Sequence, residues 1–249
     1  MQFDVLTIFP EIINDYCGKS ILGRAQKAGV IKVVATNFRD FTLNKQKQVD
    51  DSPYGGGAGM VLAAEPILRA LDAIKESTTA MRPPQMRGRR GRAVARKIKT
   101  IILSAKGKQF NQKMAYDWSK KYDQLILISG RYEGIDERVK TILRAEEISI
   151  GPFVLTDGDV AAMAIISAVA RLVPGAIKLE SLKEESFNTP PFIPPLKGEG
   201  QGEGFRSKEY PHYTRPEVLE YKGKKYRVPK VLLSGNHEKI AEWRKSKSK

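Results

Sequence analysis

Residues 125–139 of this chain read LILISGRYEGIDERV, and residues 148–164 read ISIGPFVLTDGDVAAMA. Each segment begins with a short, apolar, β-prone run, continues through glycine and leads into a helix-like stretch. This pattern predicts two neighbouring strands with glycine-containing loops at their carboxyl ends. Open α/β sheets bind their ligands at that edge, so the two segments together predict both a sheet and a ligand site.

Other segments extend the same pattern. Further strands are predicted at 3–9, 30–36 and 100–104, and helices at 20–28, 60–74, 111–121, 135–144 and 159–173, with another beginning at Pro10 and a cap at Ser20. The predicted strands are continuous apolar runs, which is typical of parallel strands covered by helices on both sides. The fold class is therefore predicted as α/β, with a mostly parallel sheet and helices on both faces.

Composition narrows the range of partners. The 249 residues include 43 Lys and Arg against 28 Asp and Glu, a formal net charge of +15. Such a charge attracts phosphate polyanions, although a solvated basic surface is the alternative. The single cysteine, Cys17, cannot form an intrachain disulfide, and no metal site is predicted from one cysteine and two histidines. The sequence has no signal-peptide pattern and no membrane-spanning apolar run, so a cytoplasmic location is expected.

Two stretches interrupt the α/β pattern. The first, 81–97, carries seven cations and no acidic residue: Arg82, Arg87, Arg89, Arg90, Arg92, Arg96 and Lys97. It could hold RNA phosphates or be a solvated insertion. The second, 192–205, is rich in Pro, Gly and Glu, and predicts a flexible linker over 184–209. The predicted domains are thus 1–183 and 210–249.

Three loops are candidates for ligand binding, each with a structural alternative. Residues 50–60 contain three consecutive glycines, which allow close approach of a ligand or make a flexible surface loop. In the loop 129–134, Arg131 and Glu133 either pair with each other or hold polar groups of a ligand. The loop 150–159 could read an adenine edge with its backbone, or be a simple turn with Asp159 capping the next helix.

Two charged positions are candidates for catalysis. Arg171 lies in an apolar helical run, where it could reach solvent or stabilise a developing negative charge. Glu184 and Glu185 precede the linker; they are either solvated or placed to act as a general base.

Together these motifs resemble the bacterial tRNA (guanine-37-N1)-methyltransferase family, the TrmD family of the SPOUT class of knotted RNA methyltransferases. The resemblance covers nearly the whole chain apart from the two interruptions and the tail. It rests on residues 8–11 (IFPE), 37–42 (NFRDFT), 49–60, 130–138 (GRYEGIDER), 148–155, 168–175, 210–217 (YPHYTRPE) and 233–237 (LSGNH).

The resemblance implies a fold, a cofactor and partners. The implied fold has a deep trefoil knot and a short C-terminal helical region, and the implied assembly is a homodimer with the active site at the subunit interface. S-adenosylmethionine is the implied cofactor, tRNA the substrate, and Mg²⁺ a further requirement. Transfer to N1 of guanine needs a base for its proton and a cation near O6; Glu185 and Arg171 match these family positions.

The resemblance also implies binding residues. Those for the cofactor are Ser104, Gly130, Tyr132, Glu133, Gly134, Ile150, Gly151, Pro152, Phe153, Val154, Leu155 and Gly158. Those for tRNA are Asp50, Tyr54, Gly55, His212, Tyr213, Arg215 and His237.

The chain departs from the family pattern at several positions. Asp157 replaces the usual glycine, Ala105-Lys106 the usual Pro-Gln, and Glu185 the usual aspartate, while the C-terminal tRNA-binding region is expected to be shortened. Two alternatives follow: a knotted RNA methyltransferase with another target nucleotide, or an RNA-binding protein that has lost its catalytic activity.

Overall fold

The computed structural model describes residues 1–80, 96–178 and 210–247. The chain divides into two compact units, Met1–Ile177 and Lys178–Lys249. The predicted linker at 184–209, and residues 81–95 of the predicted basic insertion, lie outside the described residues.

The first unit is built on a five-stranded sheet. Its strands, with two short ones outside the sheet, are β1 Gln2–Thr7, β2 Lys32–Asn37, β3 Asp50–Asp51, β4 Val61–Leu62, β5 Ile98–Gln109, β6 Gln124–Ile128 and β7 Glu146–Ser149. The order is β2-β1-β6-β5-β7, and every neighbouring pair is parallel. The predicted parallel sheet is confirmed.

Helices cover both faces of this sheet. They are α1 Pro10–Cys17, α2 Ser20–Lys27, α3 Ala64–Ala80, α4 Gln112–Lys121, α5 Glu137–Leu143 and α6 Asp159–Ala170. Because side chains alternate along a strand, Leu125 and Leu127 of β6 pack with α1, α2, α4 and α6, whereas Ile126 and Ile128 pack with α3 and α5. All four side chains are completely buried, which explains the continuous apolar run in the sequence.

Some predicted boundaries are wrong. The helix predicted over 60–74 begins at Ala64, because β4 pairs antiparallel with β3 immediately before it. Strand β5 continues to Gln109, beyond the predicted 100–104, and pairs with β7 on both sides of a register shift. Ser20 is the first residue of α2 and does not cap it; the cap position is Lys19, which makes no side-chain cap bond.

The described part of the second unit contains a hairpin and two helices. Strands β8 Val218–Tyr221 and β9 Lys224–Arg227 pair antiparallel, and α7 Lys230–Leu233 and α8 His237–Lys247 follow. The hairpin turns at Lys222 and Gly223, which have φ of 50° and 74°, the left-handed conformation of a tight two-residue turn. The predicted helical region is present, whereas the hairpin was not predicted. The trefoil knot stays a prediction.

Within the described ranges, none of the helices combines the length and apolar character needed to cross a membrane.

Candidate active site at the carboxyl edge of the sheet

A cavity of about 450 Å³ lies where β6 and β7 end and β5 passes between them. Ten of the twelve predicted cofactor residues line it: Ser104, Gly130, Tyr132, Glu133, Gly134, Ile150, Phe153, Val154, Leu155 and Gly158. Gly151 and Pro152 do not line it. Gly151 is buried behind the ring of Phe153, and Pro152 is exposed to solvent.

Glycine brings the two main loops of this cavity together. The N–H of Gly158 donates to the carbonyl oxygen of Gly130 at 2.8 Å. A Cβ on Gly158 would lie 2.8 Å from the nitrogen of Gly130 and 3.0 Å from Oγ of Ser129. Only a residue without a side chain allows this approach, so the glycine pattern of the sequence directly builds the cavity wall.

Arg131 connects three elements beside the cavity. Its Nη2 lies 2.9 Å from Oδ2 of Asp159 and 3.4 Å from Oδ2 of Asp157, and its guanidinium carbon lies 4.4 Å from the ring centre of Phe9. The side chain of Asp159 is 1% exposed. Arg131 therefore pairs with these carboxylates rather than with Glu133, so of the two alternatives the Arg131–Glu133 pair is wrong.

Asp157 fixes the start of α6. Its Oδ1 accepts from the N–H of Asp159 at 2.9 Å and from the N–H of Val160 at 3.4 Å. Its Oδ2 accepts from Oγ1 of Thr156 at 3.0 Å. The alternative that Asp159 caps this helix is wrong, because Asp157 supplies the cap bonds. Asp157 thus satisfies otherwise unpaired helix donors while it lines the cavity.

Three buried polar atoms in the described residues around this cluster have no hydrogen-bond partner: Ser129 Oγ, Arg131 Nε and Asp159 Oδ1. Buried polar groups in folded proteins are nearly always paired. These atoms comprise a hydroxyl, a cationic donor and a carboxylate acceptor. Of these three residues, Arg131 lines the cavity and the other two do not, so the unpaired atoms belong to the buried layer beside the cavity rather than to its surface.

A second charged cluster lines another side of the same cavity. It consists of Lys106, Glu137, Lys140 and Glu147. Lys106 Nζ lies 3.1 Å from Glu147 and 3.3 Å from Glu137, and Lys140 Nζ lies 2.6 Å from Glu147 and 3.2 Å from Glu137. None of the four was predicted as a site residue, although Lys106 had been recognised as a departure from the family pattern.

The ion pairs of this cluster shift the pKa values of Lys106, Lys140 and Glu137. Hydrogen bonds to Glu147 and Glu137 raise the pKa of Lys106, and the same partners raise the pKa of Lys140. Hydrogen bonds from Lys140 and Lys106 lower the pKa of Glu137. These shifts keep Lys106, Lys140 and Glu137 charged across the neutral pH range.

The predicted catalytic residues lie apart from the cavity or outside the described residues. Arg171 follows the last residue of α6, twelve residues after Asp159. A rise of 1.5 Å per residue places it roughly 18 Å along the helix from the cavity end. Glu185 lies outside the described residues.

The glycine-rich loop meets the cavity through Glu133. The N–H of Glu133 donates to the carbonyl of Met60 at 3.0 Å, and a Cβ on Gly59 would lie 2.5 Å from Oε1 of Glu133. Of the predicted tRNA residues in this region, Asp50 begins β3, Tyr54 is fully exposed, and Gly55 has φ of 85°.

The other predicted tRNA residues lie in the second unit. His212, Tyr213, Arg215 and His237 are all exposed. The rings of Tyr210 and His212 stack with centres 4.6 Å apart, and Arg244 lies 4.8 Å above the ring of Tyr210. Tyr213 packs against Trp243. Neither these residues nor others in the described ranges form a group of three His, Cys, Asp or Glu side chains able to hold a metal ion.

The fold and the cavity together define an open α/β protein with a loop-built ligand site at the carboxyl edge of its sheet. The family described as "tRNA (Guanine-1)-methyltransferase TrmD" matches residues 1–249. The chain belongs to this methyltransferase family, and the resemblance found in the sequence is confirmed.

Three relatives support this assignment, each named tRNA (guanine-N(1)-)-methyltransferase. The protein from Carboxydothermus hydrogenoformans is 45% identical over 249 residues, which is 100% of this chain and 83% of the relative. The protein from Thermomicrobium roseum is 44% identical over 98% of this chain and 78% of its own length. The protein from Clostridioides difficile is 43% identical over 100% of this chain and 92% of its own length.

Proposed function

We propose that this protein transfers a methyl group from S-adenosylmethionine to N1 of guanosine 37 in tRNA, next to the anticodon. The observation that carries the proposal is that one cavity gathers ten of the twelve expected cofactor residues, in a chain that belongs to the tRNA (guanine-1)-methyltransferase family.

The cavity fits S-adenosylmethionine in size and chemistry. Its volume of about 450 Å³ lies within the ~300–1,000 Å³ usual for small-ligand sites. Ile150, Phe153 and Leu155 supply apolar contact for a base, and the loop backbone supplies hydrogen bonds. Carboxylates of Glu133 and Asp157 at the wall suit a cationic ligand. When bound, the cofactor supplies an electrophilic methyl group on a sulfonium sulfur.

Two side chains of the chain would serve the guanine. N1 of guanine carries a proton at neutral pH and becomes nucleophilic when that proton leaves. Glu185 is the proposed acceptor of the proton, and Arg171 the proposed cation that stabilises negative charge spreading onto O6.

The position of Arg171 supports a homodimer with its active site between subunits. Roughly 18 Å of helix separates Arg171 from the cavity end of α6, which is too far for its side chain to act there. Helices α1 and α6 pack together, and Ile12, Tyr16 and Val160 on these helices, with Phe9 just before α1, are 37–45% exposed. A second copy covering this face would bring an Arg171 towards each cavity.

Mixed dimers test this arrangement. One subunit carries Arg171→Ala, and the other carries Gly158→Val, which the close contact with Gly130 should make unable to bind cofactor. If Arg171 acts across the interface, the mixed dimer keeps one working site with about half of the wild-type activity, whereas each homodimer is inactive. An inactive mixed dimer, with cofactor still bound to the Arg171→Ala subunit, would place Arg171 in its own subunit's site.

Methylation itself is tested with unmodified tRNA transcripts. The protein is incubated with isotope-labelled S-adenosylmethionine and a transcript carrying guanosine at position 37, and the nucleosides are separated. Labelled 1-methylguanosine is expected, and a transcript with adenosine at position 37 should stay unlabelled. Label at another nucleotide would favour a different RNA methyltransferase. Tight tRNA binding with no cofactor binding would favour an RNA-binding protein without catalytic activity.

The proposal includes a magnesium requirement and a cytoplasmic site of action. Magnesium usually keeps several water ligands and few protein ligands, so water and RNA phosphates are its proposed contacts. Chelation of divalent ions should stop methylation while leaving cofactor binding intact. Equal rates with and without chelator would remove magnesium from the proposal.

A further inference from the structure

The hairpin β8–β9 presents aromatic rings to solvent. Strand pairing places Leu219 opposite Tyr226 and Tyr221 opposite Lys224, so these four side chains share one face. Leu219, Tyr221 and Tyr226 are 55%, 59% and 54% exposed. Tyr221 and Tyr226 are diagonal neighbours, a relation that sets residues about 7–8 Å apart.

The hairpin is also strongly cationic. Residues 218–227 contain four cations, Lys222, Lys224, Lys225 and Arg227, against one anion, Glu220. All of them are exposed, and Lys222 Nζ lies 5.4 Å from the ring centre of Tyr221. The hairpin therefore combines accessible flat rings with a dense positive charge.

We propose that this face of the hairpin is a stacking platform for unpaired nucleotides of RNA. Bases stack on exposed aromatic side chains, and neighbouring Lys and Arg side chains bind the phosphates that connect those bases. Tyr221 and Tyr226 would each hold one base, while Lys224, on the same face, contacts the backbone. The proposal rests on the proposed function in one respect, namely that the RNA bound at this face is tRNA.

Charge and ring chemistry select this occupant over others. A second copy of the hairpin would bring like charges together, which is unfavourable. An acidic peptide would satisfy the lysines but would leave the two ring faces without a flat partner. RNA supplies both the anion and the flat partner.

The test is tRNA affinity of the full-length protein at two salt concentrations, with an unmodified transcript. Tyr221→Leu and Tyr226→Leu keep apolar bulk but remove the ring, and the Phe substitutions at the same positions keep the ring. Each Leu variant should bind tRNA at least fivefold more weakly, whereas each Phe variant should match the wild type. A plot of log affinity against log salt concentration has a negative slope. Lys224→Gln removes one phosphate contact, so it should make this slope shallower by about 0.7–0.9.

Cofactor affinity is the internal control, since the hairpin and the cavity belong to separate units. Unchanged tRNA affinity in both Leu variants would overturn the platform. If the Leu and Phe variants lose equal tRNA affinity, the tyrosine hydroxyl rather than the ring makes the contact, and the stacking proposal is overturned. Absence of 1-methylguanosine with the wild type, together with ring-dependent RNA binding, would reject the proposed reaction and leave the platform standing.

Crosslinking gives an independent measurement if a Leu variant folds poorly. Wild-type protein is irradiated with transcript containing 4-thiouridine, and the crosslinked peptides are mapped. Crosslinks within 218–227 are expected. Efficient crosslinking confined to other segments would contradict the proposal.

Discussion

Two charged clusters flank the same cavity and differ in burial. In the first, Arg131 lies between Asp157 and Asp159, with side chains 21%, 13% and 1% exposed. In the second, Lys106 and Lys140 alternate with Glu137 and Glu147, and three of the four side chains are 39–66% exposed. The ion-pair distances are similar in the two clusters.

This difference in burial shows why the distance between two charged groups does not by itself give the contribution of an ion pair to stability. Water screens charges in the exposed cluster, so each pair adds little stability. In the buried cluster, removal of one partner leaves a charge that water cannot solvate. The first cluster should therefore hold the cavity loops in place, whereas the second should mainly set the local charge at the rim.

The largest effect is expected from removal of the buried cation. Arg131→Met leaves two poorly solvated carboxylates and should lower the free energy of unfolding by about 3–5 kcal/mol. Chemical denaturation measures this loss. Arg69→Met is the matched control, because Arg69 pairs with Glu65 at the same 2.9 Å in an exposed i,i+4 pair, and its loss should stay below about 1 kcal/mol. Equal losses of unfolding free energy in Arg131→Met and Arg69→Met would contradict the proposed difference between buried and exposed ion pairs.

A smaller effect is expected from Asp157, which belongs to the buried cluster but also caps α6. Asp157→Ala should cost about 0.5–2 kcal/mol and weaken cofactor binding, because the loop start loses its anchor. Asp157→Asn keeps a cap acceptor and should recover most of both losses. Denaturation and cofactor titration measure the two quantities.

Asn111→Ala is the matched control for this cap. Asn111 accepts from the N–H of Met114 at 3.0 Å at the start of α4 and does not line the cavity. This variant should lose similar stability and keep normal cofactor affinity. If Asp157→Ala also keeps normal cofactor affinity, the cap does not position the cofactor loop.

The sheet and the glycine loops were predictable because their signals are local. A continuous apolar run such as 125–128 has few alternatives to a buried strand, and a glycine directly after it marks a tight loop. The partners of Arg131 were not predictable, because 26 and 28 residues separate it from Asp157 and Asp159. Only the folded loops bring these residues together.

The hairpin was missed for a related reason. Residues 224–227 read KKYR, with no apolar alternation to indicate a strand. Its turn uses Lys222-Gly223 instead of the more recognisable Asn-Gly or Asp-Gly. The start of α3 was displaced because Val61 and Leu62, which run without a break into the Ala- and Leu-rich segment that follows, pair with β3.

The exposed cluster should respond weakly to mutation. Lys106→Gln, which removes the charge and keeps a polar side chain, should change the free energy of unfolding by no more than about 0.5–1 kcal/mol. The difference from the wild type should disappear in high salt, since exposed charges are screened. A difference that persists in 1 M salt would mean that Lys106 acts through packing rather than charge.

The smallest effect concerns pH. The pKa of Lys106 is raised in the folded state, so its contribution to stability is full below its ordinary pKa of 10.5 and is lost as pH rises through the raised value. The pKa of Glu137 is lowered, so its contribution is full above 4.5 and is lost as pH falls through the lowered value. The stability difference between wild type and Lys106→Gln should therefore be flat across neutral pH and shrink at both extremes. Unfolding measured in low salt at several pH values tests this, and a maximum confined to pH 6–7 would point to a different titrating group.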